Sequence, residues 1–120
     1  MPGPAVTAVD VWKDRGVGIV EPLASLHAYD ARTFQDALRE AIGMTDVPVV
    51  VVTFETAALV DVDILSVIQA ENMAYAKRGG RIILVSVPVS VRRVLEISGL
   101  ADLIGSYPSL EAALAALGPP

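Results

Sequence analysis

Cysteine is absent from the 120 residues, and histidine occurs once, at His27. Without cysteine there is no disulfide frame, no thiolate nucleophile and no Cys-ligated zinc or iron–sulfur cluster. A single histidine cannot build a His-rich metal site and is a thin basis for a Ser-His-Asp triad. Cations are also scarce: 9 Lys and Arg stand against 14 Asp and Glu, a formal net charge of −5. Phosphate contacts need clustered Lys and Arg, so nucleic acid is not an expected partner, and an anionic membrane surface is disfavoured for the same reason. The longest uninterrupted apolar run is Ala112–Leu117, six residues, whereas a membrane span needs about 20. Met1-Pro2-Gly3-Pro4 has neither the basic nor the apolar region of a secretory leader. The expectation is an acidic cytoplasmic domain with no membrane insertion, no metal and no cofactor.

Apolar residues, by contrast, are plentiful at 53%, with 19% charged. That is too apolar for disorder, and a chain of this size buries roughly two thirds of its unfolded surface. One domain over residues 1–120 is expected, with a core at about 6–117. Pro2, Gly3 and Pro4 at one end and Gly118, Pro119 and Pro120 at the other read as short loose tails.

Strand and helix signals alternate between them. Thr7–Trp12 reads as a strand, Lys13-Asp14-Arg15-Gly16 as a turn, and Val17–Val20 as the second arm of a hairpin. Glu21–Tyr29 reads as strand end and loop. Asp30 is placed as the cap of a helix whose stripe is Phe34, Ala37, Leu38, Ala41 and Ile42, closed by Gly43. Val47–Phe54 holds four consecutive valines, the mark of a strand buried on both faces. Asp61–Arg78 returns to a helical period, with Gly79-Gly80 beyond its end, and Arg81–Val87 is a further strand. Ser90 is taken to cap a helix carrying Val91, Val94, Leu95 and Ile97 that stops at Gly99. A short Leu100–Ile104 segment follows, and Ser109 caps a last helix to Leu117. This order predicts an α/β fold: a four- or five-stranded mixed sheet with about four helices and parallel pairing between the strands at 49–54 and 82–87.

Chemistry is harder to find. Asp61 and Asp63 at a helix start could ligate a metal or accept a phosphoryl group, but an N-terminal Asp usually caps free amides and favours the positive dipole end. A receiver-type phospho-Asp needs acidic partners after neighbouring strands, and Trp12-Lys13-Asp14 and Glu21-Pro22 do not supply them. His27 lies in a loop beside Ser25. The glycines at 16, 18, 79 and 80 do not stand where a phosphate cradle needs them. Arg92 and Arg93 read as a solvated helix face. With no nucleophile–base pair, the chain is not expected to be an enzyme.

Several stretches together resemble the STAS domain family, named for sulphate transporters and anti-sigma factor antagonists. They are Leu59-Val60-Asp61 leading into a helix, Ala76-Lys77-Arg78-Gly79-Gly80-Arg81-Ile82-Ile83-Leu84-Val85, the run Val91–Leu100, and Tyr107–Leu114. The resemblance covers about residues 8–117. It implies an anti-sigma factor antagonist-like regulator of transcription in a bacterial stress response, acting by protein–protein binding. The implied partners are an anti-sigma factor of the serine-kinase type or other STAS proteins, with a homodimer possible. A scaffold subunit of a stress-signalling assembly and a small-ligand or lipid-transport accessory protein are the alternatives.

Regulatory members of the family carry Asp-Ser-Ser-Gly or Asp-Ser-Thr-Gly at the start of the second helix, and the serine after the Asp takes the phosphate. Here those positions read Asp61, Val62, Asp63 and Ile64. Valine has no hydroxyl, so the usual acceptor is missing, and Ser66 is the nearest one, a turn further on. The partner-binding corner is expected to comprise Asp61, Val62, Asp63 and Ile64 with Ser25 and His27 from the neighbouring loop, and Glu71 to lie on the surface outside it.

Overall fold

The computed structural model describes residues 5–100 and 104–117. Strands β1 (Val9–Asp14) and β2 (Val17–Pro22) pair antiparallel. Only Arg15 and Gly16 connect them, with φ of +53° and +81°. Two successive left-handed residues give the tight turn whose twist matches that of its strands. Lys13 and Asp14 therefore belong to the strand rather than to the turn, paired to Gly18 and Val17. Arg15 also reaches Glu111 at 2.8 Å.

β3 (Val49–Thr53) and β4 (Arg81–Val85) follow β2 in parallel, and β5 (Gly105–Tyr107) completes the order β1-β2-β3-β4-β5. All five residues of β3 are buried, as a central strand covered on both faces requires. The covering helices are α1 (Ala31–Met44), α2 (Val62–Ala76), α3 (Val89–Ser98) and α4 (Leu110–Leu117). One face of the sheet (Val20, Val50, Val52, Leu84) packs on Phe34 and Leu38 of α1, Ile64 and Ile68 of α2, and Leu95 of α3. The other face (Ile19, Val51, Ile83, Val85) packs on Ala113 and Leu114 of α4.

Several helix ends differ from expectation. α1 runs through Gly43 to Met44, and Thr45 ends it; the Thr45 hydroxyl accepts from the Gly18 N–H at 3.0 Å. Gly18 is required there, because a Cβ would lie 2.7 Å from the Ala41 carbonyl oxygen. Asp30 is not a side-chain cap of α1. Its backbone is helical, and it closes a 3₁₀ turn, Ala28–Asp30. α3 starts at Val89 after Pro88, so Ser90 lies inside its first turn; proline preset at its φ opens the helix without a side-chain acceptor. Gly99 does end α3 in the left-handed region, and the Ser109 hydroxyl does accept from the Ala112 N–H at 3.1 Å.

Glu71 is not a surface residue. Its side chain is buried, and Oε1 accepts from Gln35 Nε2 and from Arg39 Nε, both at 3.1 Å, tying α1 to α2. Among the described residues, no helix is long and apolar enough to cross a membrane. Residues 1–4 and 118–120, read from sequence as tails, and 101–103 of the Leu100–Ile104 segment lie outside the described residues.

Candidate binding site at the start of the second helix

The parallel strands β2, β3 and β4 all end on one side of the sheet, and the loops beyond them meet there. The loop after β2 runs beside the segment that enters α2. The Leu26 N–H donates to the Leu59 carbonyl and the Asp61 N–H to the Leu26 carbonyl, both at 2.9 Å, forming a parallel bridge between Leu26 and Val60. The Leu59 N–H donates to Ser25 Oγ at 3.1 Å, and Thr7 Oγ1 donates to the Ser25 carbonyl at 2.8 Å. Ser25 thus stands against Leu59, and His27 shares a groove with Asp61 and Val62, so the loop lies beside the helix start as the sequence reading expects. Ends of parallel strands are where α/β sheets gather binding residues.

Asp30 fixes this loop from below. Fully buried, its carboxylate accepts from the Thr7 N–H at 2.7 Å and the His27 N–H at 2.8 Å. Burial pushes the carboxyl upward, but the amide donors of His27 and Thr7 outweigh it and leave the group below its ordinary value. The His27 ring stacks on Tyr29, with centroids 5.2 Å apart.

At the helix start, Asp61 Oδ1 accepts from the Asp63 N–H at 2.9 Å, the capping expected of it. Val62 takes the first helical position and is 61% exposed. Asp63 is exposed in the first turn. Ile64 is different. It has no exposed surface and packs in the core, because the helix turns it about 100° per residue away from Val62 toward the sheet. It cannot offer a side chain to a partner, so the apolar patch is made instead by Val62, Leu59 and, from α3, Val94. Ser66 is exposed, and its hydroxyl donates back to the Val62 carbonyl at 3.3 Å.

A groove of about 310 Å³ runs between these walls, floored by Leu26, Leu65 and Val91 and sided by His27, Asp61, Val62, Ser90 and Val94. The α3 wall is not legible in the sequence. Val91 and Val94 carry an ordinary apolar spacing that sequence alone assigns to the core, and only the packed position of α3 leaves Val94 half open. A second groove, of about 380 Å³, lies across α3 beside Leu95, Ile104 and Ser106. It is the larger, but it contains none of the predicted residues. No cluster of potential metal ligands occurs among the described residues.

A five-stranded mixed sheet with one antiparallel edge, three helices on one face and one on the other, defines a small α/β domain of a distinct class. The family model of the STAS domain matches residues 8–113, and the chain belongs to that family. Among solved structures it is similar to an anti-sigma factor antagonist from Mycobacterium paratuberculosis, at 21% identity and a TM-score of 0.80, over 97% of each chain. It is also similar to the Bacillus cell fate determinant SpoIIAA in its phosphorylated form, at 18% identity and a TM-score of 0.72, over 92% of this chain and 99% of that one. Murine Slc26a9, an anion transporter, contains the same fold, at 20% identity and a TM-score of 0.65; the match covers 83% of this chain and 17% of the transporter. No curated protein matches at the sequence level.

Proposed function

We propose that the chain is an anti-sigma factor antagonist-like binding module of the cytoplasm, docking on an anti-sigma factor through the Leu59–Val62 corner without a phosphorylation switch at the usual place. The observation that carries this reading is Val62 itself: exposed, at the first position of α2, on the rim of an apolar groove, and without a hydroxyl. SpoIIAA has been solved both unphosphorylated and phosphorylated. A phosphate adds about −1.5 to −2 charges at a stroke, and residue 62 of this chain cannot receive them. Ser66 is no ready substitute, since its hydroxyl already bonds within the helix. The module acts by binding rather than by catalysis. The transporter-borne copy of the fold supports a second reading, a transport accessory protein.

The purified chain is to be incubated with anti-sigma serine kinases and ATP, then mapped by mass spectrometry while affinity is measured by calorimetry. The expected result is a complex indifferent to ATP and no phosphopeptide at residues 62–66. A phosphopeptide at Ser66 shows that the switch has moved rather than vanished. Val62→Asp puts an unpaired charge on the apolar rim and weakens binding by about 1–3 kcal/mol. Met73→Asp, on the same helix about three turns on and also exposed, has little effect. A folded Val62→Asp protein with full affinity places the contact elsewhere, and a chain that binds transport proteins but no anti-sigma factor replaces this reading with the second.

A further inference from the structure

We infer that the groove between α2 and α3 receives an apolar side chain, aliphatic or aromatic, that stands next to a lysine or arginine in the partner's chain. This rests on the docking role proposed for the corner and adds the chemistry of what docks. The apolar half comes from shape. Buried Leu26, Leu65 and Val91 form the floor, Val62 and Val94 the sides, and about 310 Å³ is room for a large side chain rather than a whole element. Burying such a side chain releases water from both surfaces.

The charged half comes from what stands on the rim. Asp61 lines the groove, Asp63 is exposed beside Val62, and neither forms an ion pair with a described residue. The α2 dipole offsets only about half a charge at this end, against two carboxylates. The arginines of α3 do not redress the balance: Arg92 lines the groove on the opposite side of that helix. Arg93 shares the i±4 row of Val89 and Ile97, both widely exposed to solvent. His27 is the remaining titratable side chain on the lining. At neutral pH the rim is negative, so it attracts a base and repels an acid at the same distance.

The test titrates the isotope-labelled chain, followed by amide NMR, with three blocked hexapeptides that differ only at their centre: Phe-Arg, Phe-Glu and Ala-Arg. Shifts are expected at the amides of Leu59–Leu65 and Ser90–Val94, with Phe-Arg binding about tenfold more tightly than either control. Its lead over Phe-Glu shrinks as salt rises from about 0.05 to about 0.5 M. Asp63→Lys, which keeps the backbone N–H that Asp61 caps, abolishes that lead. Equal binding of Phe-Glu, shifts elsewhere, or no shifts at millimolar peptide overturns the inference. So do corner amides that shift when the protein alone is diluted, since a second copy then fills the groove. No anti-sigma factor enters this assay. A chain that ignores anti-sigma factors yet selects Phe-Arg therefore refutes the docking role alone, and one that docks through Val62 yet prefers Phe-Glu refutes only the inference.

Discussion

Asp30 carries more of the site than its place in the sequence suggests. It holds two backbone amides, of Thr7 and His27, and through them the loop that faces Val62. Its carboxyl sits below the ordinary value despite burial, because those donors stabilise the charged form. The stability it contributes is therefore fully present above its unfolded pKa, about 3.9, and is lost as pH falls through its lower folded value. Asp30→Asn offers one carbonyl oxygen to two donors and turns an NH₂ group on the other. It is expected to cost about 1–3 kcal/mol near neutral pH, and the deficit should narrow below about pH 4 as the parent carboxyl protonates. Urea melts of both proteins at the two pH values measure this. A deficit unchanged by acid would show that shape, not charge, matters there. Sequence patterning reads Asp30 as a helix cap because Asp before an apolar stripe usually is one. The donors that occupy it lie 3 and 23 residues away, and no local pattern reveals the second.

At the scale of elements, legibility follows burial symmetry. The valines of β3 are buried on both faces, so the run itself identifies a central parallel strand, and its pairing with β4 is parallel as expected. α1 shows a clean stripe because only one side of it meets the sheet. β5 has three residues, two of them exposed, and offers no apolar signal. Glu71 looks like solvent-facing charge because its partners, Gln35 and Arg39, belong to another helix. Asp61 and Val62 announce the start of α2 in the sequence, whereas the burial of Ile64 and the α3 wall are not legible there, since both depend on how helices rotate and pack. Asn72 shows the same non-local logic. Its Oδ1 accepts from the Ile82 N–H at 2.9 Å, at a point of β4 just before its pairing with β5 begins at Ile83. The side chain thus satisfies an amide that the short edge strand does not reach. Asn72→Leu leaves that amide unpaired and is expected to cost about 1–3 kcal/mol. Denaturant midpoints measure the loss; a cost near zero would mean that water replaces the side chain.

Across the whole molecule, burial is uneven in a way that bears on the site. β3 and β4 lie in the middle of the sheet with helices on both faces. α1 buries four residues and α2 five, whereas α3 buries only Val91 and Leu95. Grooves flank α3 on both sides, and its outer row exposes Val89 at 75% and Ile97 at 81%. Local opening costs least where least apolar surface must be exposed. Amide hydrogen exchange should therefore be slowest in β3 and β4, at rates that follow global unfolding, and faster in α3 than in α1 or α2. A partner seated between α2 and α3 covers Val94 and adds apolar contact to the least buried of these helices. Binding should therefore slow exchange in α3 more than in α1, by a factor that grows with the ratio of free partner to its Kd. Exchange in α3 that already matches β3 in the free chain would mean that this wall of the groove is as fixed as the sheet. Slowing confined to α4 on binding would place the partner on the opposite face.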